Sequence, residues 1–404
     1  MQKTTAMLAV AAVVILAIAG AGAILLTGGD ESEKRYIGTI TDGAGREVVV
    51  PDSLDRGIVT FGSNDPLRFL SYFNVDDKVI EVDKGDVTDP RNGRAYSYAY
   101  DYGSLPFHSD NTIANEDVER VGRLNPSLIV VQNGLYSSAK SNVDALAART
   151  CVVVLHSIPT PIWNSDYVLG DEFAAQLDML GKVLGKEKRA EDLLNGVNGV
   201  MKDIRNDIGG KTASDKVYVA GVTWQGSNSL NATFPTYAPL LLVDGVNAYA
   251  GSTTTREILT VEQVAQTEKT VVVIDPSSSD KILGNTGSQG VMRHIFGLNS
   301  DSDAGNDVRI YTVPPIVWDS TNYDCVFAAA YYLEHLIYGI GDTNSVNADI
   351  NNLFRLFYGD AGGSVLNDMS VFFEGKSGAN GVDLPLMHEV RIVQDGDEFT
   401  FVRV

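Results

Sequence analysis

The chain has 404 residues, enough for two domains that each bury a core. Apolar content of 44% and charged content of 21% are those of a globular protein, not of a disordered chain. A net charge of −21 excludes nucleic acid and any surface that hugs anionic lipid, and reads as a solvated acidic exterior.

Ala6–Leu26 carries no charge, and about 20 such residues suffice to cross a bilayer. Lys3 precedes the run, and Asp30, Glu31 and Glu33 follow it. That asymmetry puts the N-terminus in the cytoplasm and the rest outside. A retained anchor is the favoured reading, because the run exceeds the usual apolar core of a signal peptide. Cleavage within the small residues Ala19–Ala23 is the alternative, and it would release the chain. Residues 1–35 are therefore anchor or signal plus a polar linker.

Residues 36–165 read as a first α/β lobe. Tyr36–Pro51 is a hairpin turning at Asp42-Gly43-Ala44-Gly45, whose glycines supply positive φ. Gly57–Phe61 is a buried strand, followed by a turn and a helix through Leu67, Leu70 and Phe73, capped by Asn64 or Asp65. Lys78–Val82 is the next strand. Asp83–Asn115 is a long polar loop that includes Tyr96, Tyr98, Tyr100 and Tyr102. Glu116–Leu124 is a short helix, Leu128–Gln132 a strand, Val143–Ala148 a helix and Cys151–Leu155 a fourth strand. Alternating strands and helices predict a parallel sheet covered on both faces.

Residues 166–210 are connecting helices. Phe173, Leu177, Leu180 and Leu184 form one apolar stripe, and Gly185 is its left-handed cap. A second helix, Glu187–Ile208, carries Ala190, Leu194, Val197, Met201, Ile204 and Ile208. At 1.5 Å per residue it spans roughly 33 Å, about the width of a small domain. Residues 211–404 are a second α/β lobe with an extra C-terminal segment. Its strands are Lys216–Ala220, Val246–Ala250, Thr270–Ile274 and Arg309–Val313, the last stopped by Pro314-Pro315. Asn322–Ile340 is a long apolar helix and the stretch from Glu389 a hairpin, while Gly359–Gly381 has no clear assignment. The overall expectation is an α/β chain of two mainly parallel-sheet lobes joined by one long α-helix.

The two cysteines, Cys151 and Cys325, sit in apolar runs and read as free and buried. No CxxC, HxH or HExxH spacing occurs, so neither a metal centre nor a cofactor is expected in the protein itself. No GxSxG, phosphate loop or paired nucleophile and base occurs either, so binding is expected and catalysis is not.

One internal echo links the lobes. Glu119 and Glu262 each stand nine residues ahead of the first apolar residue of a strand, Leu128 and Val271. The plain reading is that each glutamate helps its helix start, facing the positive end of the helix dipole. The alternative is a matched pair of exposed carboxylates, one per lobe, that docks on basic partners.

Thr41-Asp42 with Gly45-Arg46-Glu47-Val48 and Pro51, VERVGRLNPSLIVV, LDMLGKVLGKEKRAEDLL, VDGVNAYAG and TVEQV occur in one order. Over roughly Thr41–Thr270 the chain resembles the extracytoplasmic binding proteins of ABC importers for iron-siderophore, haem and cobalamin. The resemblance implies two lobes on one long helix with a ligand cleft between them, and capture of a metal chelate, foremost a ferric siderophore, with haem or cobalamin as alternatives. It implies an ABC permease and its ATPase as partners, at the outer face of the cytoplasmic membrane. It assigns permease docking to Glu119 and Glu262. A surface sensor or adhesion module on the same fold is the competing use. The tyrosine-rich stretch and the end after residue 340 depart from the pattern.

A single rod resists bending, so the lobes are expected to move little on ligand binding. Cleft residues are expected in loops at the carboxyl ends of strands. In the first lobe these are Ser63, Asn64, Arg94, Tyr98, Tyr100 and Asn133, and in the second Trp224, Arg256 and Trp318. The aromatic rings suit large flat ligands, and Arg94 and Arg256 suit an anionic chelate. Tyr with Asp as oxygen donors to bare ferric ion is a lesser alternative.

Overall fold

The computed structural model describes residues 35–88, 93–223, 229–276, 295, 308–317, 320–375, 384–395 and 398–404. The charge-free run Ala6–Leu26 lies outside them. Among the described residues no helix is long and apolar enough to cross a membrane.

The chain opens with a hairpin, β1 (Thr39–Thr41) and β2 (Glu47–Val49), paired antiparallel around Asp42–Arg46. The first lobe follows as β3 (Ile58–Phe61), α1 (Asp65–Tyr72), β4 (Val79–Asp83), α2 (Lys84–Thr88), α3 (Tyr96–Ala99) and β5 (Phe107–His108). It continues with α4 (Asn115–Leu124), β6 (Leu128–Val131), α5 (Asn133–Ser138), α6 (Lys140–Ala147) and β7 (Cys151–Val154). Its five strands lie in the order β5-β4-β3-β6-β7, all parallel. Residues alternate between the faces. Ile58, Leu128, Val130 and Val153 enter the central core, whereas Val59, Phe61, Ile129, Val131, Val152 and Val154 enter an outer cluster with α4 and α6.

Two helices connect the lobes, α7 (Asp171–Leu184) and α8 (Glu187–Ile208). Gly185 takes φ 67° between them, the left-handed cap expected from the sequence. The buried stripe of α8 is Ala190, Leu193, Val197, Met201, Ile204 and Ile208; Leu193 takes the place expected of Leu194, which is only half-buried.

The second lobe comprises β8 (Lys216–Ala220), β9 (Ala232–Thr233), α9 (Ala238–Leu242), β10 (Val246–Asn247), β11 (Glu257–Ile258), α10 (Val261–Gln266), β12 (Val271–Ile274) and β13 (Arg309–Thr312). Three helices follow, α11 (Tyr323–Tyr338), α12 (Thr343–Tyr358) and α13 (Gly362–Gly375), and then β14 (Glu389–Asp395) and β15 (Glu398–Arg403). The sheet order is β10-β8-β12-β13-β14-β15, parallel through β13, with the C-terminal hairpin added antiparallel.

Two features differ from the sequence reading. The stretch without an assignment contains α13. The α12–α13 turn needs Gly362, because a Cβ there would lie 2.1 Å from the Phe354 carbonyl oxygen. The polar stretch after β4 is not a bare loop. It holds α2, α3 and β5, and its tyrosines act as packing groups. Tyr96 and Tyr102 are buried, their hydroxyls 2.9 Å from Asp86 Oδ1 and 2.8 Å from Ser71 Oγ. Tyr100 and Tyr358 stack edge to face, 6.3 Å between centroids, so α12 is seated on the first lobe.

Arg189 of α8 reinforces that seat. Its Nε donates to Tyr72 O at 2.8 Å and its Nη2 to Leu356 O at 2.6 Å and Phe357 O at 2.9 Å, which joins α1, α8 and α12. One apolar core consequently runs from the first sheet through α7 and α8 to the C-terminal helices. Both cysteines are free, Cys325 buried and Cys151 half-buried.

The junction of α8, α11 and α12 holds an acidic group that titrates near neutrality. Glu334, only 3% exposed, is pushed up to about 7 by burial and by Asp207 and Asp349, against the pull of Lys211. Its Oε1 has no hydrogen-bond partner among the described residues. A carboxyl whose folded pKa is raised holds its proton longer in the folded state. Its contribution to stability is therefore present below about pH 4.5 and is lost as pH rises to about 7. Glu334→Gln is expected to raise the melting temperature at pH 8 and to leave it nearly unchanged at pH 4. Thermal unfolding at both pH values checks this, and an equal shift at the two would exclude it.

Candidate functional site

A cavity of about 430 Å³ lies between the lobes, at the carboxyl ends of strands from both sheets. The first lobe supplies Asp65 and Phe69 of α1, Gln132–Gly134 after β6, and Leu155–Thr160 after β7. The second supplies Phe234, Thr236 and Ala238 before and in α9, Thr254 and Thr255, and Ile316, Val317 and Ser320–Thr321 leading into Tyr323 of α11. Parallel strands all end on the same side, so the loops that follow them converge on one crevice.

The lining is mostly hydroxyl, amide and apolar. Its charge-bearing groups among the described residues are Asp65 and His156. Asp65 is already engaged: its Oδ1 accepts from Arg68 Nη1 and Ser320 Oγ, each at 2.7 Å, and its Oδ2 accepts from Gln132 Nε2 at 3.3 Å. Burial lowers the pKa of His156, with Asp42 and Glu172 opposing, so the ring is neutral at neutral pH. Its backbone N–H donates to Gln176 Oε1 at 2.7 Å, which fixes the loop after β7 to α7. The lobes also meet directly, through Thr160 Oγ1 and Thr321 Oγ1 at 2.9 Å.

Of the residues expected in the cleft, Asn133 lines it. Its Nδ2 donates to Leu155 O at 2.9 Å and Gly43 O at 3.3 Å, so it also ties the hairpin to the cavity wall. Arg256 follows the lining residues Thr254 and Thr255, with Nη1 3.4 Å from Val222 O. Trp224 and Trp318 lie outside the described residues. The other five do not line the cavity. Ser63 and Asn64 are fully buried; Asn64, at φ 74°, donates its N–H to Asp86 Oδ1 at 2.9 Å and makes no cap bond to α1. Arg94 is 1% exposed and donates to Gly85 O at 2.8 Å. Tyr98 packs edge-on to Phe372 of α13 at 5.7 Å. The Tyr100 hydroxyl lies 3.0 Å from Asn74 Oδ1 and 3.1 Å from Tyr358 O. The tyrosine stretch turns toward the C-terminal helices because these offer it aromatic partners.

Glu119 and Glu262 are both exposed. Glu262 lies in the first turn of α10, which Thr260 and Gln263 cap reciprocally, at 3.2 Å and 2.8 Å. Glu119 falls in the second turn of α4; the acidic residues of its first turn are Glu116 and Asp117. The dipole reading therefore holds for Glu262 and not for Glu119. Both helices start on the cleft side of their sheets. Before α4, the Asn111 N–H donates to the carboxylate of Asp83, the last residue of β4, at 3.0 Å. Before α10, β11 pairs with β9, and Gly221 at the end of β8 donates to Leu230 O at 3.1 Å.

The family described as periplasmic binding protein matches residues 99–317. No curated protein matches the chain. Among solved structures, the chain is similar to the molybdate periplasmic binding protein MolA of a Haemophilus influenzae ABC transporter. The TM-score is 0.58 at 14% identity, covering 79% of this chain and 97% of that one. It is similar to a periplasmic solute binding protein from Veillonella parvula DSM 2008, with TM-score 0.57, 15% identity and coverage of 83% and 98%. It is also similar to the TroA-like periplasmic binding protein FepB from Veillonella parvula, with TM-score 0.55, 15% identity and coverage of 79% and 95%. At these identities the likeness carries the fold alone.

Proposed function

The chain belongs to the periplasmic binding protein family, and from that membership we propose that it captures a ferric siderophore outside the cytoplasmic membrane and delivers it to an ABC permease. The observation that carries this reading is the interlobe cavity, built from strand-end loops of both sheets. Its volume of about 430 Å³ is in the range of small-molecule sites.

The lining favours one charge class of chelate. Ferric ion with three singly charged bidentate donors is neutral, as in a tris-hydroxamate; three doubly charged catecholates leave a trianion. Of the two arginines expected to meet an anion, Arg94 is buried and bonded to Gly85, and Arg256 adjoins the lining without joining it, its Nη1 directed at Val222 O. Asp65 is held by Arg68, and among the described residues hydroxyls and amides dominate the remaining polar lining. Desolvating a trianion against such a surface is costly, whereas hydroxyls and amides serve the oxygens of a neutral chelate. Phe69, Phe234 and Tyr323 supply apolar faces.

Fluorescence titration with a ferric tris-hydroxamate, a ferric tris-catecholate, haem and cyanocobalamin tests both levels. The neutral tris-hydroxamate is expected to bind at least about tenfold more tightly than the trianion, a difference of roughly 1.4 kcal/mol. Tighter binding of the tris-catecholate would overturn the charge argument. Failure of every chelate to bind would overturn siderophore capture.

A further inference from the structure

We infer that Arg68 is a positioning residue that locks the floor of the cleft, joining Asp65 of the first lobe to Ser320 and Asn322 of the second and so fixing the cavity's width. Arg68 projects from α1 and is fully buried. Its Nη1 donates to Asp65 Oδ1 at 2.7 Å and to Ser320 Oγ at 3.1 Å, and its Nη2 donates to Asn322 Oδ1 at 2.7 Å. The Ser320 hydroxyl closes the circuit by donating to Asp65 Oδ1 at 2.7 Å. The guanidinium carbon lies 5.8 Å from the ring centroid of Tyr96 and 5.7 Å from that of Tyr323, one ring from each lobe.

The second-lobe partner is itself held. Asn322 donates its backbone N–H to Ile316 O at 2.8 Å and its Nδ2 to Pro315 O at 3.3 Å, so its acceptor moves only with the loop that leaves β13. The first-lobe partner is held at the far end of α1 as well, where Arg189 grips Tyr72 O. Charge-assisted bonds at 2.7 Å tolerate little stretching, and a buried guanidinium without acceptors is strongly disfavoured. Opening the lobes by about an ångström would break both Arg68 bonds to the second lobe while leaving the ion pair in the first. Asp65 and Ser320 line the cavity, whereas Arg68 and Asn322 do not, so the arginine acts through its neighbours. The α8 rod is thus joined by a polar lock at the cleft floor. Its effect on ligand affinity rests on the cleft being the ligand site.

The test is an interlobe distance distribution from pulsed electron paramagnetic resonance. Spin labels go on Lys140→Cys and Glu268→Cys, exposed positions on the two lobes, with Cys151→Ser to prevent stray labelling. The parent is expected to give one narrow distribution without ligand. Asn322→Ala and Arg68→Lys are expected to broaden it, and Asn322→Asp, which keeps an acceptor for the guanidinium, to restore it. A role confined to stability would lower the melting temperature and leave the distribution narrow. A narrow distribution in folded Asn322→Ala would overturn the lock, as would equal broadening in Asn322→Asp. Titration of the same proteins with the ferric tris-hydroxamate is expected to show an affinity loss of at least about tenfold in Asn322→Ala. If the parent itself fails to bind, the proposed ligand falls while the distance data still decide the lock.

Discussion

Reversing the charge at Glu119 and Glu262 together is expected to abolish chelate uptake while ligand affinity stays within about a factor of two of the parent. Neither residue lines the cavity, and both are exposed on helices that start on the cleft side of their sheets. A partner that spans both lobes would meet one carboxylate from each, and basic groups on it would fix the register of docking. Each single reversal is expected to give partial loss, because half the register survives. The chain's net charge of −21 demands a control, since any acidic exterior attracts a basic surface at long range. Asp178→Arg with Asp192→Arg makes the same change in net charge at exposed positions on the connecting helices. Uptake is measured in cells whose own copy is replaced by each variant. Normal uptake with both glutamates reversed would end the docking proposal. Equal loss in the control would assign the effect to the overall field.

The contrast between α8 and the cleft shows which parts of this molecule were readable from its residues. Helix α8 repeats one instruction along its length, an apolar residue every three or four positions, and ends on Gly209 at φ 54°. Strands β3, β6 and β12, buried along their whole length, read as nearly unbroken apolar runs, and Gly185 marked the break between α7 and α8. Such signals are periodic and local. The cavity is neither. Asp65, Gln132, His156, Phe234, Thr255 and Ser320 are scattered through the chain and meet only because strands from two sheets end at one crevice. The rule that strand-end loops face the crevice agrees with the cavity lining at Asn133, and it brings Arg256 beside the lining residues Thr254 and Thr255. Applied to β7, it would also have named His156–Thr160, which follow a strand that the sequence did reveal. The tyrosines misled for a chemical reason. A tyrosine in a polar stretch looks the same whether its ring awaits a ligand or packs on a helix, and only the folded chain shows Asp86, Ser71 and Asn74 holding those hydroxyls.

The largest stability effect is expected at Asp42, where Asp42→Ala should cost about 3–5 kcal/mol, because it removes a buried carboxylate that pairs with the partly exposed Arg46 and satisfies three backbone donors. The sequence marks this residue as the first of a hairpin turn and as part of the Thr41-Asp42 motif, without a structural role. In the folded chain its carboxylate is 2% exposed and organises the whole corner. Oδ1 accepts from the backbone N–H of Ala44 and of Arg46, each at 3.0 Å. Oδ2 accepts from Arg46 Nε at 3.0 Å and Nη2 at 2.7 Å, and from the N–H of Val154 in β7 at 3.0 Å. Removing it leaves the Arg46 guanidinium with Val152 O at 2.9 Å in place of its charge partner, and strands the Val154 donor. The turn cannot shift to compensate: Gly43 donates to Val154 O at 2.9 Å, and a Cβ on Gly43 would lie 2.2 Å from Leu155 O. Leu155 and His156 are wall residues of the cavity, so the corner that anchors the hairpin also supports the cleft. Asp42→Asn keeps the Oδ1 acceptor but loses the charge opposite Arg46, and should fall between the parent and Asp42→Ala. Thr41→Ala, at an exposed neighbour, should cost under about 0.5 kcal/mol. Urea unfolding of the four proteins measures the series. With total stabilities of about 5–15 kcal/mol usual for a domain, the Asp42→Ala loss is large enough to be unmistakable. A loss below about 1 kcal/mol would mean that water reaches the corner and satisfies its donors, and the support lent to the cavity wall would then have to come from Asn133 and Gln176 alone.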